Sequence, residues 1–404
     1  MGKNIKMWIA FFRRGMLIAG AMLIAGSLSV CGGSAGTAPI APAPTATPTS
    51  TGSFPYQQGW LGADGAYSIP LGNGQSLWIF GDTFVGPSNA TSRTQSTAFI
   101  HNTIALTTCT GISCTYQYYW PGMGTANPGA VFAAPGSDWF WPMDGFVYNG
   151  TLYVALMQMH AEGSGAFGFA YSGSQLASIS NYTAPPTQWN ITYQQLNTGG
   201  NAVPGVSIVA NQGPGGNPDP SNPQGANYAY FITAMGNTPA MALLRIPLSQ
   251  MDSLARPANG NWQYLSTSGS WGNWAGTATS LPADASAILN PGATEMTVRY
   301  HSSTSQWIAV YPQGLQSAGY YSLSSSLTGG WGTAKSLYTY PEMQSSNPNY
   351  TLNLFCYADK EHSEMETAGQ LVFTYACNST VENEIIQNMN LYHPVIISEP
   401  LPSQ

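Results

Sequence analysis

The sequence predicts an all-β fold, a five-bladed β-propeller in which each blade is a four-stranded antiparallel sheet. Three observations carry that expectation. The composition suits short strands and tight turns: 45 glycines, 29 prolines and 12 tryptophans in 404 residues, with only 7% of residues charged. A hairpin unit recurs. "DGAYSIPLGNGQSLWIFGD" from residue 64 returns as "DGFVYNGTLYVALMQ" from residue 144, each with Asp-Gly, a strand, Asn-Gly and a second apolar strand. Asn-Gly between such runs is a strong hairpin signal, because both turn residues must accept positive φ. An outer element also recurs, an aromatic strand followed by a loop and a Trp segment, at 169–193, 243–265 and 320–338. Units of about 70 residues that read as four strands describe propeller blades, and the chain from residue 54 onward holds five. The fourth and fifth inner hairpins are "TEMTVRYHSSTSQWIAVYP" (294–312) and "LNLFCYADKEHSEMETAGQLVFTYAC" (352–377). A pair of β-sandwiches explains the strand content but not the return of the hairpin unit in step with an outer Trp strand.

The first 31 residues read as a lipoprotein-type signal peptide. Lys3, Lys6, Arg13 and Arg14 precede the apolar run "GMLIAGAMLIAGSLSV", which meets Cys31 in "LSVC". This is a lipobox with Val30 in the place of the usual small residue; ordinary cleavage nearby or an uncleaved anchor is the alternative. Gly32 carries no inner-membrane retention signal of the kind Asp gives, so the expected location is the outer membrane if the host has one, and otherwise secretion. Residues 32–53 are a Pro/Thr/Ala-rich tether with no core-forming capacity, and 54–404 form the catalytic domain. No later stretch is long and apolar enough to span a bilayer. Ten basic residues spread through the chain give no electrostatic footprint for nucleic acid. A monomer is expected. Beyond Cys31 four cysteines remain, an even count in an exported chain that points to two disulfides. Three pairings are possible; proximity favours Cys109–Cys114 and Cys356–Cys377.

The carboxylates carry the chemistry. In a propeller the first strand of each blade starts at one mouth of the central funnel and the second returns to it. Asp64 and Asp144 precede inner strands, Glu295 opens the inner strand of the fourth blade, and Asp82 ends a second strand. Four acids from three blades therefore ring one pocket. Folding the first ribbon at Asn73 sets Asp64 and Asp82 opposite each other, nine positions away on either side. Facing like charges destabilise a strand pair. They also push each other's pKa values apart, which makes one proton donor and one base or nucleophile, the pair that glycoside hydrolysis uses. The structural alternative makes Asp82 a turn cap and Asp64-Gly65 a plain turn. Trp60 and Trp141 stand beside these acids as flat platforms for sugar rings. His101 lies within a blade-1 strand, as an interior histidine or a site residue. His362 falls between the strands of Cys356 and Cys377, at the rim. HExxH, P-loop and GxGxxG motifs are absent, and "GGSAG" at 32–36 lies in the tether. No cofactor is called for; "NPDPSNP" (217–223) is a polar loop with nothing in its sequence that calls for a structural Ca²⁺, which stays an open alternative.

With these residues in place the chain resembles a family of bacterial five-bladed propeller proteins, formerly a domain of unknown function, that includes endo-D-arabinanases. The resemblance rests on "GADGAYSIPLGNGQSLWIFGDTF", "FIHNTI", "FWPMDG", "TEMTVRY", "SLTGGW" and "LVFTYACNS…LYHPVII", in order over residues 56 to 398. It implies that Asp64 and Asp82 are the catalytic carboxylates of a glycosidase cleaving furanosidic linkages in an arabinan-like polysaccharide. The chain departs from the family pattern in its last blade, at "ADKEHSEMETAG". A non-catalytic glycan-binding propeller and a structural surface lipoprotein are the alternatives from other classes.

Overall fold

The computed structural model describes residues 50–403 except 164–167, 212–226, 237, 254–261, 275–279 and 315. The signal segment, Cys31, most of the tether and the 217–223 loop lie outside the described residues. The fold is all-β, built from six antiparallel sheets of three to five strands. Among the described residues the α-helix is a single short one, Glu382–Gln387.

The chain begins with β1 (Ser50–Ser53) and β2 (Trp60–Ala63). Strands β3 (Tyr67–Pro70) and β4 (Ser76–Phe80) make the first hairpin; β5 (Thr83–Val85) and β6 (Ala98–Ile100) leave it to join β2 in a three-stranded sheet; β7 (Thr103–Thr110) and β8 (Ser113–Tyr119) return to complete the first four-stranded sheet. The second sheet runs β9 (Trp139–Tyr148), β10 (Thr151–Ala161), β11 (Phe169–Ile179) and β12 (Ile191–Asn197). The third has five strands rather than four: β13 (Ala202–Ala210), β14 (Tyr228–Met235), β15 (Met241–Pro247), β16 (Gln263–Leu265) and β17 (Trp271–Asn273). The fourth is β18 (Thr297–His301), β19 (Gln306–Pro312), β20 (Ala318–Ser324) and β21 (Lys335–Thr339). The last is β22 (Leu354–Glu361), β23 (Gln370–Ser379) and β24 (Pro394–Pro400), with β1 added as its fourth strand. The final four residues of the stretch read as a tether, 50–53, are thus strand, paired Ser50↔Ser398 through Ser53↔Val395.

First strands pack on first strands: β3 on β9, β9 on β13, β13 on β18 and β18 on β22. The last sheet comes back onto the first. There Ser68 Oγ lies 2.6 Å from His362 Nδ1, and the His362 ring sits 4.3 Å from the Trp78 ring. His362 is therefore an interior residue, not a rim residue; its other nitrogen bonds Thr374 Oγ1 at 2.9 Å, and burial holds its pKa well below the usual histidine range. Both disulfides form as proximity suggested, Cys109–Cys114 across β7–β8 and Cys356–Cys377 across β22–β23.

The two Asn-Gly turns differ. Asn149 and Gly150 both take positive φ, 48° and 73°, in the tight turn from Tyr148 to Thr151. In the first hairpin the left-handed residues are Gly72 and Gly74, and Leu71 N donates to Gln75 O at 2.9 Å. Asn73 instead uses its side chain, accepting from Gln75 N at 3.1 Å. A glycine at 72 lets a three-residue loop close there.

Arg93, 2% exposed, ties the N-terminal strands to the C-terminal segment. Its guanidinium donates to the carbonyls of Leu61, Ile385, Asn388, Leu391 and Tyr392. Gly62 (φ 119°) leaves room for this, since a Cβ there would lie 2.5 Å from Tyr392 O. Replacing Arg93 by Met strands these carbonyls without a donor. The variant should lose several kcal/mol of stability, on the scale of a broken buried network, measured by chemical denaturation.

Two buried acids give the stability a definite pH dependence. Burial raises Asp359 from 3.8 to about 7, against the opposing hydrogen bond from Tyr340. Burial, then the Glu361 charge, raises Glu366 from 4.5 to about 8. His301, bonded to Glu361 at 2.9 Å, is raised from 6.5 as well. Each of these groups keeps a proton in the folded state that the unfolded chain has released, so stability declines as pH climbs through their folded values. Below 6.5 the depressed His362 and His393 carry the opposite sign. Above pH 6.5 that offset is gone, and stability should fall by on the order of 2 kcal/mol by pH 8. A thermal-melt series on wild type and on Asp359→Asn/Glu366→Gln tests this; equal slopes in both proteins would contradict it.

Candidate active site

The register argued from sequence is present. Tyr67↔Ile79, Ser68↔Trp78 and Ile69↔Leu77 pair in β3–β4, and Ala63↔Thr83 continues the same register in β2–β5. Asp64 and Asp82 therefore occupy facing positions between the two sheets. Gly81 N donates to Asp64 O at 2.9 Å, and a Cβ on Gly81 would sit 2.4 Å from Asp64 Oδ1. Glycine at 81 is what admits the Asp64 carboxyl.

Asp64 is 2% exposed, and Tyr357 Oη donates to its Oδ2 at 2.5 Å. Burial, then the charges of Glu295 and Asp82, push its pKa well above the usual carboxylate range; the Tyr357 hydrogen bond and the Lys360 charge oppose this. Asp82 is equally buried but differently held. Its Oδ1 accepts from Trp141 Nε1 at 3.0 Å and lies 2.9 Å from His101 Nδ1. Tyr392 Oη donates to its carbonyl at 3.1 Å. His101 stacks on Trp139 with ring centroids 4.7 Å apart. Glu295 lies just before β18, its Oε1 2.9 Å from Lys360 Nζ.

A pocket of about 60 Å³ opens beside these groups. Asp64 and Glu295 line it together with Tyr67, Trp141, Met157, Phe169, Phe355 and Tyr357. Its walls are mostly aromatic and apolar, interrupted by the two carboxyls. Asp82 and His101 do not line it; Asp82 is joined to it through its hydrogen bond with the lining Trp141.

Besides Asp82 and His101, three residues expected at the pocket do not line it. Asp144 lies inside β9 rather than ahead of it and is fully buried. Arg299 holds it through two bonds, Nη1–Oδ2 at 3.0 Å and Nη2–Oδ1 at 3.1 Å, and Ser207 Oγ, Ile208 N and Gly145 N complete its shell. It is a structural anchor with its lone pairs occupied. Trp60 is fully buried, stacked 4.7 Å from Tyr118 and donating to Thr103 Oγ1, so it offers no face to a ligand. His362 is interior, as described above.

Tyr357 and Lys360 were not anticipated. They sit on β22, Lys360 inside and Tyr357 just before the segment whose pattern looked irregular, and the irregularity is a β-bulge. Tyr357 pairs with Ala376 but Lys360 with Thr374, so β22 carries one extra residue, and Ala358 takes φ 66°. Residues three apart on a regular strand face opposite sides. The extra residue turns Tyr357 toward Asp64 and Lys360 toward Glu295. A non-glycine residue in the left-handed region is a sign of stored strain of the kind that gathers at functional sites.

No curated protein matches the chain. In fold it is similar to a protein of Bacteroides ovatus ATCC 8483 described as a "putative hydrolase", with TM-score 0.63, 16% identity, and 84% of this chain and 86% of that one covered. A GH43 β-xylosidase/α-arabinofuranosidase from a compost microbial metagenome, solved with xylotriose, aligns at TM-score 0.47 and 10% identity over 89% and 96% of the chains. An exo-β-1,3-galactanase of Phanerochaete chrysosporium with β-1,3-galactotriose aligns at 0.44 and 13% identity over 84% and 61%. Residues 51–398 match the model of the family described as Domain of unknown function (DUF5005). The chain belongs to the DUF5005 family.

Proposed function

We propose that this protein is a glycoside hydrolase cleaving furanosidic linkages in a polysaccharide, D-arabinan or a related cell-surface glycan. In the same reading the five large sheets are the blades of a five-bladed β-propeller, with β1 closing the last blade. One observation carries the functional reading. Asp64 and Asp82 face each other in register, yet one is buried against a phenol and the other is fixed by an indole and an imidazole. Two carboxyls in unlike environments supply an acid and a base or nucleophile. Asp64, whose pKa is raised, is the proton donor to the leaving oxygen. Trp141 Nε1 can only donate, so Asp82 Oδ1 is held as an acceptor, suited to attack on the anomeric carbon or to activation of water. The aromatic pocket wall fits the C–H faces of a sugar. The fold likeness to a protein described as a hydrolase and the sequence resemblance to endo-D-arabinanases point the same way.

Incubation with arabinans, xylans and galactans followed by product chromatography tests the substrate; absence of cleavage in every polymer would overturn the reading. Asp64→Asn and Asp82→Asn should each lower kcat by at least about 10³-fold while melting normally, and the wild-type rate should follow a bell-shaped pH profile. Gly81→Ala should lose activity too, through displacement of the Asp64 carboxyl. Unfolding of both aspartate variants would make the aspartates structural caps.

We also propose acylation at Cys31. The described chain starts at Ser50, opposite Ser398 and level with Val372, which accepts from His362 N. Tyr357, at the pocket, pairs with Ala376 toward the other end of that sheet. Cys31→Ala should release the protein from the membrane fraction; unchanged fractionation would refute the anchor.

A further inference from the structure

We propose that Lys360 is a positioning residue that fixes Glu295 as an anion beside Asp64 and so leaves the cluster's proton on Asp64. This rests on the reading of Asp64 as the proton donor. The observations are geometric. The Lys360 side chain is fully buried, with Nζ 2.9 Å from Glu295 Oε1 and 4.5 Å from the centre of the Tyr67 ring. A buried ammonium is costly unless it is paired, so the pair is a condition of the fold here. Glu295 in turn packs against the residue after Asp64: a Cβ on Gly65 would meet Glu295 Oε1 at 3.3 Å. Glu295 therefore has an ammonium, and its side chain is 24% exposed. Asp64 is hydrogen-bonded by a phenol, feels the ammonium only at a distance, and is 2% exposed. Of two adjacent carboxyls, the one with the ammonium and some access to water stays ionised, and the other keeps the proton. The bulge at Ala358 is what delivers Lys360 to this position.

The charged and titratable groups that feel Lys360 come from several elements. They are Asp64, Glu295, and Asp359 and His362 along the same segment, with Asp82 and Tyr357 acting on Asp64 in turn. Loss of the ammonium removes the reason for Glu295 to remain ionised, and the cluster then takes up a second proton at low pH.

The test is the pH profile of kcat/KM for wild type, Lys360→Met, Lys360→Arg and Glu295→Gln/Lys360→Met on whichever glycan the wild type cleaves. Lys360→Met should move the acidic limb up by about one pH unit or more. Lys360→Arg should restore the limb, even at reduced kcat, because the charge is kept. The double variant should also return it, because the titrating glutamate is gone. A merely structural lysine would instead lower kcat in both single variants with the limbs unmoved, and that outcome overturns the proposal. Carboxyl ¹³C titration of the same proteins reads the second proton directly and does not need activity. It therefore tests Lys360 even if no glycan is cleaved, in which case the enzymatic reading alone fails. Equal carboxyl titration curves for wild type and Lys360→Met would overturn the proposal as well.

Discussion

Arg299 carries a positive charge into the place where β9, β13 and β18 come together, and the geometry at the pocket end of those strands follows from how it is held. Asp144 takes both of its terminal nitrogens, while Ser207 and Ile208 of β13 close the shell around the carboxylate. Three sheets are thereby fixed to one another through a single buried pair. Removing either partner would leave an uncompensated charge in the interior, a loss of about 3–5 kcal/mol. Backbone irregularities make the pair reachable. The β9–β10 register shifts between Val154 and Leu156, beside Asp144, and the β13–β14 register shifts between Pro204 and Ser207. Gly205 (φ 91°) lets β13 pass so close to β10 that a Cβ would lie 2.5 Å from Ala155 Cβ. Tyr67 joins β3 to the same knot by donating to Val206 O at 2.7 Å.

The site is assembled just above this knot. Tyr67 is three positions from Asp64, and Arg299 is four from Glu295, so little backbone freedom separates the anchored residues from the carboxyls. The opposite wall comes from the last sheet, whose added strand β1 runs on into β2 and β3. Its hold is Ser68–His362 below and Tyr357–Asp64 above, with Arg93 gripping the chain that leads to Tyr392 and hence to Asp82. The strained Ala358 is affordable because this closure over-determines β22: the Cys356–Cys377 disulfide fixes one side of the bulge and the Lys360 pair the other.

What could be read from the sequence was what short-range pattern controls. The Asn-Gly hairpins set strand register, and register put Asp64 opposite Asp82 without knowledge of the sheets around them. The disulfides followed from spacing. Residues whose role depends on an extra or missing backbone atom were hidden. Asp144 was expected ahead of an inner strand, yet it and Gly145 are inside β9, where a Cβ on Gly145 would meet Tyr153 O at 2.4 Å and Ile69 Cδ1 at 2.5 Å. Tyr357 and Lys360 were hidden because a bulge breaks the period on which strand-face assignments rest. Trp60 and His362 were misplaced for a different reason: local sequence does not say which side of a strand meets the neighbouring sheet. The irregular "ADKEHSEMETAG" was the available signal, and it marked the bulge.

The puzzle of two facing acids in an acid-poor chain resolves through their neighbours. The chain has 17 acids, and Asp64, Asp82, Asp144, Asp359 and Glu361 among them are buried. Few surface charges means a weak long-range field, so each buried carboxyl takes its state from what it touches. Asp144 touches a guanidinium, Glu295 an ammonium, and Asp82 an indole and an imidazole. Asp64 touches a phenol, is walled by apolar side chains, and faces two other acids. Four side chains of the same chemistry are thus given four different environments, and burial with its acidic neighbours pushes Asp64 toward the neutral form. Repulsion across the strand pair would be destabilising if both aspartates were ionised. On the proposed reading, a proton retained on Asp64 relieves that repulsion, and the register that looked unfavourable from sequence becomes the one that would keep an acid role and a base role apart.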